Sequence, residues 1–155
     1  VRTVAGMFDI SHMGKFILKG KTLITQLQSL VPSDLSRLKP GEAQYTVFLT
    51  PEAGIIDDLI FYYQGINDAG EQHGVMIVNA ATTLKDKAWL LNHLDANQIN
   101  LQDCSIEKAL IAIQGPEAVT YLQTFVDQDL SDVKAFGHLR GTILGQPAFL
   151  ARTGY

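Results

Sequence analysis

Two carboxylates, Asp57 and Asp58, stand side by side in "GIIDDLIFYY" (residues 54–63), a run that is otherwise aliphatic and aromatic. In a strand, successive side chains point to opposite faces. The pair therefore cannot lie wholly on the solvent side of a half-buried sheet, and one of the two faces something enclosed. Enclosed carboxylates have the most readily shifted proton affinities and serve as general acids and bases. Asn79 raises the same question in "VMIVNAA" (75–81), because a polar group in an apolar strand needs a partner. The structural alternative is a set of turns: Asn79 closes a strand and caps a turn, and the Asp pair steadies the hairpin that opens after "PEAG".

Other groupings carry less. "DISHMG" places Asp9, Ser11 and His12 within four residues, but hydrolytic triads meet in space rather than in sequence, and no G-x-S-x-G elbow is present. His12, His73, His93 and His138 lack the spacing of zinc ligands, and the single Cys104 excludes an internal disulfide or a cysteine cluster, so no metal site is expected. Neither a G-x-G-x-x-G fingerprint nor a complete G-x-x-x-x-G-K-[ST] loop occurs, and "IQGP" (113–116) reads as a strand-to-helix turn. The formal charge is −4, with Lys and Arg scattered. That pattern offers no basic stripe to a nucleic-acid backbone. No apolar run approaches membrane-spanning length and the first residues lack a signal-peptide pattern, which argues for the cytoplasm, or the mitochondrial matrix in a eukaryote.

The elements that must position these groups can be read from periodicity. "GKFILKG" (14–20) sets Lys15, Ile17 and Lys19 against Phe16 and Leu18, a strand with one wet face. "KTLITQLQSLVP" spaces Leu23, Ile24, Leu27, Leu30 and Val31 as a helix ended by Pro32. "AQYTVFLT" and "GIIDDLIFYY" form a hairpin around "PEAG", the polar stretch 64–74 is an exposed loop, and "VMIVNAA" is a buried strand. In "TTLKDKAWLLNHL", Thr83 and Asp86 have the spacing of a capping box, while Leu84, Ala88 and Leu91 share a helix face. "INLQDCSI" and "ALIAIQG" read as strands, "PEAVTYLQTFV" as a helix opened by Pro116, and "TILGQPAFLAR" as a hairpin around Gly145. Strands that adjoin strands, with single helices between pairs, predict an α+β fold with a mainly antiparallel sheet and helices packed on it. At 155 residues the chain fits one domain or two lobes near 1–80 and 81–155. It begins without Met and stops just after a strand-like run, as a segment of a longer protein would.

The blocks "GMFDISHMGKF", "QYTVFLTPEAGIIDDLIFYY", "VMIVNAATTLKDKAW", "ALIAIQGP" and "ARTGY" resemble, in order and spacing, the aminomethyltransferase family, the T-protein of the glycine cleavage system. The resemblance implies a folate-binding region over 1–155, with a further N-terminal segment before it and a C-terminal barrel domain after it. It implies an enzyme that takes the aminomethyl group from the lipoyl arm of H-protein, releases ammonia and passes the one-carbon unit to tetrahydrofolate as 5,10-methylenetetrahydrofolate. Asp58 matches the catalytic carboxylate beside the bridging folate nitrogens, and Met13, Ile17, Tyr45, Tyr62, Asn79 and Tyr155 match folate contacts. Other contacts of the family lie beyond Tyr155, so the segment alone is not expected to complete the reaction. Two relatives of the same fold stand as alternatives. One is a non-catalytic folate-binding module, whose "KGCYxGQ"-like motif is missing here. The other is the folate domain of a demethylating dehydrogenase.

Alternation and resemblance together divide the Asp pair. Asp58 enters the pocket, on one face with Ile60 and Tyr62 if the strand carries no bulge, and Asp57 is left to hydrogen-bond the "PEAG" turn or meet solvent.

Overall fold

Alternating side chains give this protein a sheet with two unlike faces, and the expected α+β fold is built on it. The structure, a computed structural model, describes residues 1–153; Tyr155 lies outside the described residues. The elements are β1 (Gly6–Asp9), β2 (Gly14–Gly20), α1 (Leu23–Gln28), β3 (Glu42–Leu49), β4 (Ile55–Ile66), β5 (Gln72–Val78), α2 (Thr83–His93), β6 (Ile99–Asp103), β7 (Ile111–Gln114), α3 (Ala118–Gln123), β8 (Gly137–Ile143) and β9 (Gln146–Arg152). They fall into two units, Ser11–Lys108 and a second made of Val1–Ile10 with the chain from Ala109 onward. No helix among the described residues is long and apolar enough to cross a membrane.

In the Ser11–Lys108 unit the strands lie in the order β6-β2-β5-β4-β3, each antiparallel to its neighbours. One face carries Phe16, Leu18, Phe48, Leu59, Phe61, Tyr63, Met76 and Val78. It buries them against Leu23, Ile24 and Leu27 of α1 and Leu90 of α2. Each such side chain contributes about 1.5–3 kcal/mol when fully buried, so this face holds the unit together. Gly74 of β5 lets it close: a Cβ there would stand 2.6 Å from the Phe61 ring and 2.7 Å from the Tyr62 carbonyl oxygen. The β3–β4 hairpin turns through Thr50–Gly54, where the Thr50 amide donates to the Gly54 carbonyl (2.8 Å) and Thr50 Oγ1 accepts from the Gly54 amide (3.1 Å).

Several local expectations are corrected. The face of β2 read as wet holds a buried Lys15, 4 % exposed, because its ammonium folds back to the carbonyls of Ser11 (2.7 Å) and Met13 (2.8 Å). The loop expected over 64–74 shrinks, since β4 runs to Ile66 and β5 starts at Gln72. Asn67 Oδ1 closes the shorter turn by accepting from the Ala69 and Glu71 amides. The capping box is not formed. Thr83 is already inside α2 and its hydroxyl donates to the Asn79 carbonyl (2.9 Å), while Asp86 is wholly buried. The stripe expected of α2 points outward, Leu84 being 81 % and Leu91 55 % exposed. The buried positions are instead Asp86, Leu90 and Leu94, at spacings of four, because the sheet lies against that side. Helix α3 begins at Ala118, two residues past Pro116.

In the other unit β1 pairs with β7 from Gly6↔Gln114 to Asp9↔Ile111. Gly115, at φ +130, ends β7 where an added Cβ would meet the Val4 carbonyl oxygen at 2.4 Å. The β8–β9 hairpin turns at Leu144 and Gly145, both with positive φ, as expected around Gly145. Val126, Leu130 and Leu150 form the core of this unit, flanked by Leu122, Leu139 and Ile143.

Candidate functional site

The second face of the sheet in the Ser11–Lys108 unit is the more varied one. The register aligns Lys15, Ile77, Ile60 and Tyr45 across four strands in one row, and Ile17, Val75, Tyr62 and Ala43 in the next. The irregularities of β3 and β4 fall at Phe48/Leu49 and Tyr63/Gly65, outside the stretch 58–62. Asp58, Ile60 and Tyr62 therefore share this face, as alternation requires.

Asp58 sits half-buried at the end of it, and each of its oxygens is held once. Oδ2 accepts from the Tyr45 hydroxyl (3.1 Å) and Oδ1 accepts from Asn79 Nδ2 (2.9 Å). Tyr45 reaches it from the neighbouring strand because it lies opposite Ile60, one diagonal step away. A carboxylate offers about four acceptor positions, so two remain for a ligand.

Asp57 lies opposite Phe48, at the margin of the core face. It neither bonds the "PEAG" turn nor stands in solvent, which corrects the sequence expectation. Oδ1 accepts from Asn79 Nδ2 (3.0 Å) and Oδ2 from the Thr82 hydroxyl (2.5 Å). The amide of Asn79 thus bridges the two carboxylates from either side of the sheet, and its orientation is fixed because every group it faces is an acceptor. That bridge explains why an Asn ends an apolar strand.

Of the site residues expected from sequence, Asp58, Tyr45 and Asn79 are joined by hydrogen bonds. Tyr62, buried, and Ile17, half-buried, lie on the same face one row away. Met13 precedes β2 and contributes its carbonyl to Lys15. Thr82, Lys15 and Asp86 were not among the expected site residues. The signal for Asp86 was its spacing of four from Leu90 and eight from Leu94, which puts it on their face of α2.

Among the described residues, no donor reaches either oxygen of the buried Asp86. Burial, and then the facing Asp57 carboxylate, push its carboxyl up to about 7. Desolvation acts to raise Asp57 too, but the bonds from Thr82, Asn79 and Asp86 outweigh it and hold that carboxyl below the ordinary range. Asp86 binds a proton when folded that it lacks when unfolded, so its contribution to stability is fully present below about 3.8 and is lost as pH rises toward about 7. His138, held down at about 4 by burial and then by Arg140, acts with the opposite slope below 6.5. The clean measure is therefore a difference. Thermal midpoints taken from pH 5 to 8 should fall more steeply with pH for the natural protein than for Asp86→Asn, and parallel curves would contradict the shift.

Comparisons with known proteins agree in one direction. The GCVT N-terminal domain family matches residues 1–155. An aminomethyltransferase of Nostoc sp. is 68 % identical over the whole of this chain and 41 % of its own length, and one of Rippkaea orientalis is 64 % identical over the whole chain and 42 % of its length. The chain thus spans about two fifths of the length of these relatives. Among solved structures, the glycine cleavage system aminomethyltransferase T from Bartonella henselae superposes with a TM-score of 0.79 at 28 % identity, covering 91 % of this chain and 37 % of the other. A heterotetrameric sarcosine oxidase from Corynebacterium sp. U-96 reaches 0.64 at 13 % identity over 97 % of this chain and 71 % of the other, a likeness of fold. Sequence along its full length and the arrangement of its sheet agree: this chain belongs to the GCVT N-terminal domain family.

Proposed function

We propose that this chain is the folate-binding region of an aminomethyltransferase of the glycine cleavage system. The reading carries Asp58 as the catalytic carboxylate and Met13, Ile17, Tyr45, Tyr62, Asn79 and Tyr155 as folate contacts. The observation that supports it most directly is the Asp58 carboxylate, held once on each oxygen by Tyr45 and Asn79 with acceptor capacity to spare. It ends a face whose next rows are the half-buried aliphatics Ile60, Ile77, Val75 and Ile17. That combination fits a flat ring with amine N–H groups at its edge: apolar wall for the ring, carboxylate for the amine.

Tetrahydrofolate supplies the amine nitrogens that accept the one-carbon unit. Asp58 accepts a hydrogen bond from an amine N–H, which turns the nitrogen lone pair toward the incoming carbon, and takes up that proton as the new C–N bond forms. Tyr45 and Asn79 keep the carboxylate aimed, so little reorganisation is needed during the transfer. The lipoylated H-protein presents the aminomethyl group, whose carbon leaves sulfur and nitrogen as two C–N bonds to the folate form. The remaining three fifths of the relatives' length, where the resemblance implies a C-terminal barrel domain, would complete the pocket.

The test uses a chain of the relatives' full length with aminomethylated H-protein. Ammonia release that depends on tetrahydrofolate, with methylenetetrahydrofolate formed in equal amount, is the expected result. Release indifferent to the folate would overturn the assignment. Residues 1–155 alone should bind tetrahydrofolate weakly in isothermal titration and show no transfer. Binding as tight as that of the full-length chain would place the whole pocket in this segment.

A further inference from the structure

One buried titratable group has no part in the proposed transfer. Asp86 is 0 % exposed, receives no donor from the described residues at either oxygen and faces another acceptor, the Asp57 carboxylate. Two carboxyl groups cannot face each other away from water as two anions; one proton must lie between them. The Thr82 hydroxyl cannot supply it, since that hydrogen is directed to Asp57 Oδ2. Lys85, on the same helix, turns its ammonium to the Ile56 carbonyl (2.8 Å), and Lys87 pairs with Asp103 (2.9 Å). The charged groups bearing on Asp86 are thus Asp57 from β4 and Lys85 from its own helix.

We infer that Asp86 is a positioning residue for Asp58: protonated, it donates to Asp57, and Asp57 in turn fixes the Asn79 amide that holds Asp58. The geometry supplies the links from Asp57 through Asn79 to Asp58. The proton on Asp86 supplies the first link; beyond it, Asp57 Oδ1 accepts from Asn79 Nδ2 (3.0 Å), and the same amide donates to Asp58 Oδ1 (2.9 Å) and to the Asp58 carbonyl (3.2 Å). Asn79 has no further side-chain hydrogen to give, so its direction depends on both carboxylates. Loss of the Asp86 proton sets two anions against each other, displaces Asp57 and, through Asn79, releases Asp58. The transfer should therefore weaken as pH rises past the ionisation of Asp86, near 7.

This inference rests on the proposed role of Asp58 for its kinetic part, and a direct measurement separates the two. The full-length protein should show the infrared carbonyl band of a protonated carboxylic acid near pH 6. The band should fade on raising the pH and be missing from Asp86→Asn. Absence of the band from the natural protein, or its persistence in the variant, overturns the shared proton whatever the activity. In the transfer assay, Asp86→Leu should lower kcat by on the order of ten- to a hundredfold, the scale of a misplaced catalytic group. Asp86→Asn keeps a donor that cannot ionise, so it should restore most of that loss and abolish the alkaline fall. Should Asp86→Leu fail to fold, the pH profile of Asp86→Asn still decides: an alkaline limb equal to that of the natural protein overturns the positioning role. With the band present and Asp58→Asn fully active, the reading of Asp58 fails and the proton shared by Asp57 and Asp86 stands.

Discussion

Asp58→Asn, made in a chain of the relatives' full length, is expected to lower turnover with aminomethylated H-protein and tetrahydrofolate by roughly 10² to 10⁴, the usual effect of losing a positioned acid or base. The substitution keeps shape and hydrogen-bonding capacity, since an amide can still meet both the Tyr45 hydroxyl and Asn79. What it removes is the negative charge and the proton acceptor. Folding should shift by about a kcal/mol or less, because the group is half-buried and its partners stay paired. Asp57→Asn should behave differently. Its carboxylate accepts from Thr82 and Asn79 under the Ala80–Thr82 turn, and bonds to a charged acceptor are worth about 1.5–3 kcal/mol. The thermal midpoint should fall clearly with that variant, more than loss of a turn-supporting residue would cause. Kinetics and melts of the two variants side by side separate the roles. An inactive Asp57→Asn beside a normally active Asp58→Asn would reverse the assignment.

Phe61→Ala should give the largest loss of stability among changes on β4. The ring is fully buried between Gly74 and the α1–α2 side of the core, and removing it costs about 3–5 kcal/mol through lost burial and the cavity left behind. Against a total of roughly 5–15 kcal/mol for an ordinary domain, that is enough to unfold the unit under mild conditions. Ile60→Ala, one residue away on the other face, removes a half-buried side chain and should cost visibly less. The pair tests the orientation of the strand that carries Asp58. Equal losses, or a larger loss for Ile60→Ala, would mean that β4 presents the wrong face to the core.

Much of this was legible in the residues. Period-two alternation put Asp57 and Asp58 on opposite faces, and "PEAG" marked the hairpin that brings Tyr45 beside Asp58. These are short-range facts: each depends on chain geometry within a strand or across one tight turn, and nothing elsewhere in the molecule can change their parity. The family resemblance is the ground for proposing Asp58 rather than Asp57, a choice that alternation alone does not make.

What the sequence did not determine is who shares a boundary with whom. Asn79 is separated by 22 and 21 residues from the Asp57 and Asp58 it bridges, and only the β5–β4 pairing brings them together. Asp86 has the spacing of a capping residue and the composition of a solvent-facing one, and Leu84 and Leu91 have the composition of a core. Helical periodicity specifies which residues share a face, but which face turns inward is settled by packing against the sheet, and exposed leucines carry little penalty. The same holds for Lys15, wet by its residue type yet buried by two carbonyls at the foot of its own strand. The sequence by itself determined the alternation along β4, the hairpin that joins it to β3 and the family. The tertiary structure decided that a third carboxyl, the wholly buried Asp86, stands behind the pair, because the long-range packing of α2 on the sheet overrides the local preference of that side chain for water.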